Sequence, residues 1–367
     1  MTENNLKKTI LYENHIRLGA KMVNYSGFYM PLQYTSSLKE HMSVRNNAGI
    51  FDVSHMGKFI LSGKDSMNLI QYLTTNDLSK IKIGQAQYNC FINEHGGIID
   101  DLVVYKITEK KLLLIVNAAN IEKNKKWINH HIKKNAFSDI ELIDFSSEYS
   151  LLAIQGPFSL FYIQKLTNIP LQKIPFYHFE IGEFAEIQKV LISCTGYTGS
   201  KGVEIYIPNE YAEKIWNKIL EIKKIIPCGI ASRNSLRLEM GYRLWGKDLC
   251  EKTTPIEAGL SWITKFEKKF LAKEILQKQK NKGEYKKFIS FVIEEKGKIP
   301  RDGYSLIDKD NNIIGNVTSG TFSPILKKGI GLGYLWNQKI NSVFLSIRKK
   351  KIPIKMVKLP FINIKNS

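Results

Sequence analysis

The chain has 367 residues, 43% of them hydrophobic and 11% aromatic, which excludes a disordered or low-complexity polypeptide. Its formal charge is +20, from 54 Lys and Arg against 34 Asp and Glu, so nucleic-acid binding is the first class to weigh. Only 7 of the basic residues are arginines, the better readers of phosphate and base edges, and the 49 isoleucines that accompany the lysines point to compositional bias.

The start, MTENNLKKTILYENH, has no apolar signal-peptide region, and no run approaches the ~20 apolar residues that cross a bilayer. A cytoplasmic protein without a membrane partner is expected. Residues 57–62 read as a strand. Residues 98–106 and 112–117 read as two more, joined by the turn TEKK. From Asn120 to about Lys134 the pattern is helical, with Ile121, Trp127, Ile128 and Ile132 on one side and lysines on the other. His130 and His131 fall on the surface of this helix. With no H-x-x-x-H, no metal is expected there. Residues 149–155 and 185–194 are strand-like, then come the turn TGYTGSKG, the strand VEIYI and a second amphipathic helix at 209–223. The lysine-laden stretch 264–287 reads as a link to a last domain. Beyond it, strands at 288–294, 304–308, 313–318, 330–335, 343–348 and 352–358 predict a small β-barrel. GIGLG at 329–333 sits between β segments, so it lacks the strand–helix context of a dinucleotide loop. Cysteines 90, 194, 228 and 250 form no C-x-x-C pair and read as reduced, mostly buried thiols.

Three segments carry chemistry. In NEHGGIIDDLVVY (93–105) two glycines make a tight turn, and Asp100 and Asp101 then interrupt an apolar strand. Alternation sends the two carboxylates to opposite faces. One caps or pairs locally; the other is a candidate to enter a cavity, since a charge inside a strand needs a partner or a role. In CTGYTGSKGVEIY (194–206), Tyr197 and Glu204 flank a Gly-rich turn in a way that suits a polar heterocycle; the alternative is a hairpin with surface polar residues. In PCGIASRNSLRLEMGYRLWGKDL (227–249), Arg233 lies in the first turn of a helix opening near Ser232. A cation there opposes the helix dipole and asks for an anionic partner. Arg237 and Glu239 follow, either functional or a structural ion-pair cluster.

Taken in order, these segments, with LYENHIRLGAKMVNYSGFYMPLQY, VRNNAGIFDVSHMG, NAANIEKN, LLAIQGP, TTPIEAGLSW and VTSGTFSPILKKGIGLGYL, resemble the aminomethyltransferases of the glycine cleavage system, the T-protein family. The resemblance implies an α+β class with a three-lobed folate-binding fold. Residues 1–280 would form the catalytic part, as two α+β subdomains with the second at roughly 55–140, and residues 281–367 a C-terminal β-barrel. It implies transfer of the methylene carbon of an aminomethyl group, held on the lipoyl arm of H-protein, to tetrahydrofolate. Ammonia and 5,10-methylenetetrahydrofolate are the products, tetrahydrofolate is the co-substrate, and no metal takes part. Asp101 matches the family's essential acid, Glu204 the residue at the pterin amino edge, and Arg233 the pterin-contacting arginine. Tyr88, Asn117 and Tyr197 match further pocket positions; Met56 is expected to pack at the ring, and Tyr242 is a further candidate. Asn234, Ser200, Lys201, Phe28 and Trp245 depart from the family's usual residues, and the tail FINIKNS lacks an aromatic that some members place near the folate. Alternatives are a folate-dependent relative that serves sarcosine or dimethylglycine oxidation, for whose FAD domain the chain has no room, and a basic RNA-binding protein, for which no aromatic–basic segment of RNP type is visible.

Overall fold

The computed structural model describes residues 6–135, 137, 139–336, 342–348 and 350–364. The first five residues of the chain, Lys349 and the last three residues of the FINIKNS tail lie outside the described residues.

The hairpin expected at 98–117 is the centre of a five-stranded antiparallel sheet. Its strand order is Ala86–Ile92, Ile98–Thr108, Lys111–Val116, Gly57–Ser62 and Glu141–Asp144. Side chains alternate across it. Leu102, Val104, Leu112 and Leu114 share a core with Leu69, Ile70 and Ile128 of the helices Ser66–Leu73 and Ile121–Lys134. Val103, Tyr105, Leu113 and Ile115 face the other way. His131 is 1% exposed and sits edge-on to Trp127, so it belongs to the packed side of its helix rather than to the surface expected for it.

A second sheet has six strands in the order Phe179–Phe184, Ile187–Ser193, Gly202–Pro208, Tyr149–Gln155, Ala48–Asp52 and Ile225–Pro227. Its outer face, with Ile50, Leu152, Ile154, Val203 and Ile205, packs on Ala212, Ile215, Trp216 and Ile219 of the helix Asn209–Leu220. Its inner face, with Phe51, Leu151, Ala153 and Tyr206, meets Tyr105, Leu113 and Ile115 of the first sheet. The layers therefore run helix, sheet, sheet, helix. Strands covered on both faces read as continuous apolar runs, and each large side chain buried this way contributes about 2–3 kcal/mol.

The third lobe is a closed six-stranded barrel, Lys287–Ile293, Lys328–Leu335, Ile313–Ser323, Ser305–Ile307, Phe344–Ile347 and Lys350–Met356, the last strand pairing with the first. GIGLG lies within one of its strands. A Cβ on Gly331 would meet the Phe291 ring at 2.4 Å, so this glycine serves close packing. The strand expected at 313–318 continues to Ser323, because pairing with Lys328–Leu335 resumes beyond a bulge at Val317/Ser319.

Arg237 and Glu239 form a buried cluster that docks this barrel. Arg237 pairs with Asp248 at 2.7 Å and donates to Ser319 Oγ at 2.9 Å; Asp248 also accepts from Thr318 Oγ1 at 2.6 Å. Glu239 accepts from Arg45 Nε at 2.9 Å and Ser323 Oγ at 2.5 Å, with His41 Nε2 at 3.1 Å. Within 264–287, Phe270 and Leu276 pack on Cys90, Ile92 and Ile98, so this stretch closes the end of the five-stranded sheet. Cys90 and Cys228 are buried, Cys194 is half-buried and Cys250 is exposed; all four are free thiols. No helix among the described residues is long and apolar enough to cross a membrane.

Candidate functional site

Where the two sheets part, they leave a cavity of about 730 Å³ rimmed by the helix Ile230–Glu239 and the segment after it. The eight residues singled out in the sequence, Met56, Tyr88, Asp101, Asn117, Tyr197, Glu204, Arg233 and Tyr242, all lie on its wall. They come from different lobes of the chain, and strand alternation aims the central two. Asp101 shares the inward face of its strand with Val103 and Tyr105; Glu204 shares the inward face of its own with Tyr206.

The turn before Asp101 needs its two glycines for separate reasons. Gly96 has φ +84°, and a Cβ on Gly97 would lie 1.8 Å from the Glu251 carbonyl oxygen. The Asp101 carboxylate then accepts from Tyr88 Oη at 2.9 Å and from Asn117 Nδ2 at 2.8 Å. Burial raises its carboxyl above the usual range, against the lowering pull of those two hydrogen bonds. Asp100, on the opposite face, is fully buried, and Asn117, Asn120 and Asn124 surround it.

Glu204 Oε2 ends a chain of hydroxyls. Tyr206 Oη donates to Tyr105 Oη at 2.9 Å, Tyr105 lies 3.1 Å from Thr195 Oγ1, and Thr195 donates to Glu204 at 2.6 Å. Burial, with the Glu204 charge, holds the Tyr105 phenol protonated far above its usual range. Each hydroxyl therefore passes its donor toward the carboxylate.

Arg233 is the fourth residue of its helix, which begins at Ile230 rather than near Ser232. Its guanidinium lies 5.0 Å from the centre of the Tyr197 ring, and its Nη1 is buried without an acceptor. Tyr197 stacks on Tyr242 at 5.7 Å and donates to the Arg243 carbonyl. Among the described residues no carboxylate pairs with Arg233; the cation–π contact with the Tyr197 ring takes that place. Asn234 accepts from Arg237 Nε at 3.0 Å, so this departure from the family pattern bears on the barrel-docking arginine. Ser200 likewise accepts from Arg45 at 3.0 Å.

Several residues on the wall or behind it escaped the sequence reading. His55 is 4% exposed, edge-on to Tyr25 at 5.5 Å, with no partner for Nδ1; burial chiefly, then the Arg233 charge, pushes it down to about 3 against the pull of Asp52. Asn120 and Asn124 stand three and seven residues after Asn117, a helical spacing that could have flagged them. Tyr105 and Tyr206 follow from Asp101 and Glu204 by alternation. Trp262, 62% exposed, stacks on Tyr88 at the rim; it ends the segment TTPIEAGLSW but was not singled out from it. No lysine of 264–287 is on the wall; Lys247 is, and it pairs with Asp302 at 2.5 Å. Among the described residues, no group of His, Cys, Asp and Glu is arranged to hold a metal ion.

Two family models match the chain: the GCVT N-terminal domain over residues 11–268, and the glycine cleavage T-protein C-terminal barrel domain over 286–363. An aminomethyltransferase of Flavobacterium psychrophilum is 48% identical over 362 residues, covering 97% of this chain and 99% of that protein. One from Thermosipho melanesiensis is 45% identical, with 97% of each chain covered. The crystal structure of glycine cleavage system aminomethyltransferase T from Bartonella henselae superposes with a TM-score of 0.89 at 33% identity, covering 97% of this chain and 98% of that one.

Proposed function

We infer the roles of the cavity residues from one premise: this chain belongs to the aminomethyltransferase, or glycine cleavage T-protein, family. It transfers the methylene carbon of the aminomethyl group on the lipoyl arm of H-protein to tetrahydrofolate, releasing ammonia, freeing the reduced dihydrolipoyl arm and forming 5,10-methylenetetrahydrofolate. The RNA-binding and oxidase-linked alternatives are not favoured.

One observation carries the assignment of the site: Asp101 and Glu204 project from two different sheets onto one cavity, whose wall also holds the buried, unpartnered Arg233 Nη1. A pterin offers amino donors at one edge and a carbonyl acceptor at another. Glu204 suits the donors, Arg233 the acceptor, and Tyr197, Tyr242 and Met56 the ring faces. Tyr88 and Asn117 complete the wall beside Asp101. Tetrahydrofolate supplies the nitrogens that take up the carbon; the protein supplies position and field.

Asp101 is proposed as the catalytic carboxylate. Its charge stabilises positive charge developing on the transferred carbon, in a site whose low dielectric strengthens that effect. Its raised affinity for protons also suits it to accept one as the new carbon–nitrogen bond forms. Tyr88 and Asn117 hold it by one oxygen each, so its orientation is set before substrate arrives.

Incubation with aminomethylated H-protein and tetrahydrofolate should release ammonia at an enzymatic rate. No ammonia above the slow uncatalysed background would refute the reading.

A further inference from the structure

Asp100 does not sit in the cavity, yet the surrounding residues are organised around it. Its carboxylate accepts four hydrogen bonds, all from uncharged amides. Asn117 N–H donates to Oδ2 at 3.1 Å and Asn117 Nδ2 to Oδ1 at 2.8 Å; Asn120 Nδ2 reaches Oδ1 and Asn124 Nδ2 reaches Oδ2, each at 2.6 Å. Asn124 points its nitrogen at Asp100 although this leaves its own Oδ1 buried without a partner. Such a neighbourhood is built for an acceptor on every side.

The Asn117 amide joins this nest to the cavity. Its Nδ2 lies 2.8 Å from Asp100 Oδ1, 2.8 Å from Asp101 Oδ1 and 3.0 Å from the Asp101 carbonyl oxygen. An amide nitrogen has two hydrogens, so one serves each carboxylate. The amide could otherwise turn over and present its oxygen to Asp101, acceptor against acceptor. With Asp100 offering only acceptors, the nitrogen must stay where it is.

We propose that Asp100 is a positioning residue for the transfer reaction: by fixing which end of the Asn117 amide faces the cavity, it sets the place and hydrogen bonding of the Asp101 carboxylate. This rests on the reading of Asp101 as the catalytic carboxylate. Burial and the Asp101 charge both push the Asp100 carboxyl up, opposed by the three asparagines. Protonated Asp100 would present a donor to one of its four donors and release the amide. The titratable groups that act on it are Asp101 on its own strand and, on the adjacent one, Cys90, whose thiol burial pushes up; from the Asn117–Asn124 segment, which also carries Glu122 and Lys123, the groups that bond Asp100 are those of the three asparagines.

The test is turnover with aminomethylated H-protein, read alongside tetrahydrofolate affinity and thermal unfolding. Asp100→Asn forces one amide of the nest to turn. It should lower kcat about 10- to 100-fold, the cost of a small misplacement of a reacting group, with KM for tetrahydrofolate held within about threefold. In an Asn117→Ala background the same substitution should cost less than about threefold, because the coupling path is already gone. Equal losses in both backgrounds, or wild-type kcat in a folded Asp100→Asn, would overturn the proposal. If Asp100→Asn does not fold, Asn117→Ser removes the bridge while leaving Asp100 three donors; it must then show the same kcat loss at unchanged KM, and wild-type kcat would refute the proposal. A parallel Asp101→Asn separates the two levels. Near-normal turnover there defeats the reading of the site itself; an inactive Asp101→Asn beside a normal Asp100→Asn defeats only the positioning role.

Discussion

His15 Nε2 lies 2.9 Å from Asp52 Oδ2, both side chains fully buried, and the other oxygen of Asp52 accepts from the backbone N–H of Ser54 at 2.9 Å. Thr9 Oγ1 donates to the same carboxylate at 2.7 Å, while Tyr34 Oη lies 2.9 Å from His15 Nδ1. Asp52 thus ties the N-terminal helix to the turn that delivers His55 and Met56 to the cavity wall.

Asp52→Asn should cost about 2–3 kcal/mol of stability, since an amide in this place turns a donor toward buried donors. The His15 and Ser54 bonds hold the Asp52 carboxyl well below its usual range despite burial. Its contribution is therefore complete above about pH 4 and lost as pH falls further. Urea unfolding of both proteins at pH 7 and at about pH 2.5, below the ordinary carboxylate range, measures the difference, which should be smaller at the lower pH.

Asp101→Asn keeps the size of the side chain, with the Tyr88 hydroxyl able to turn and accept from the new amide, and removes the charge. Tetrahydrofolate should still bind within a few-fold, while turnover falls about 100- to 1000-fold. Fluorescence titration with tetrahydrofolate and the ammonia assay report the two halves; equal losses in both would assign Asp101 to binding alone.

Glu204→Gln should act the other way. If Glu204 accepts from the pterin edge as proposed, loss of that charge-assisted acceptance is worth about 1.5–3 kcal/mol, a rise of about 10- to 100-fold in KM for tetrahydrofolate with a smaller change in kcat. Thr195→Val, which removes the hydroxyl that donates to Glu204, should shift KM in the same direction by less. Steady-state kinetics with tetrahydrofolate varied at saturating H-protein decides this.

His55 is held neutral in the fold down to about pH 3, whereas an exposed histidine titrates near 6.5. Between those values the unfolded chain binds the extra proton, so stability falls as pH falls, by at most about 1.4 kcal/mol per unit. His131, lowered to about 4 chiefly by burial, pulls the same way over a narrower window. His55→Gln should therefore lose up to about 2 kcal/mol less than wild type between pH 7.5 and pH 5. Parallel pH slopes for the two proteins would mean that His55 is charged in the fold.

What the sequence made legible was local. The strand holding Asp101, the turn before Glu204 and the helix bearing Arg233 each carry their own periodicity or turn residues, and the wall positions named from the family motifs all lie on the cavity. Elements that depend on distant partners were harder to read. His131 looked like a surface residue because Tyr72, which packs on it, lies some sixty positions earlier. The helix 209–223 stops at Leu220. The hydroxyl chain ending at Glu204 joins residues from both sheets, and no single segment contains it. The stretch 264–287, read as a link between domains, covers a sheet end through Phe270 and Leu276, which composition alone does not reveal.

The docking cluster on the helix Ile230–Glu239 makes two separately recognised sequence modules one cooperative body. Cutting the barrel away would strip Arg237 of Ser319, Asp248 of Thr318 and Glu239 of Ser323, and would expose Leu238 from its core with Ile330 and Leu332. The same helix holds Arg233 against the cavity. A chain ending before the barrel would thus lose the rigidity of its own cavity wall, and the barrel acts as a remote brace for a wall to which its described strands contribute no residue.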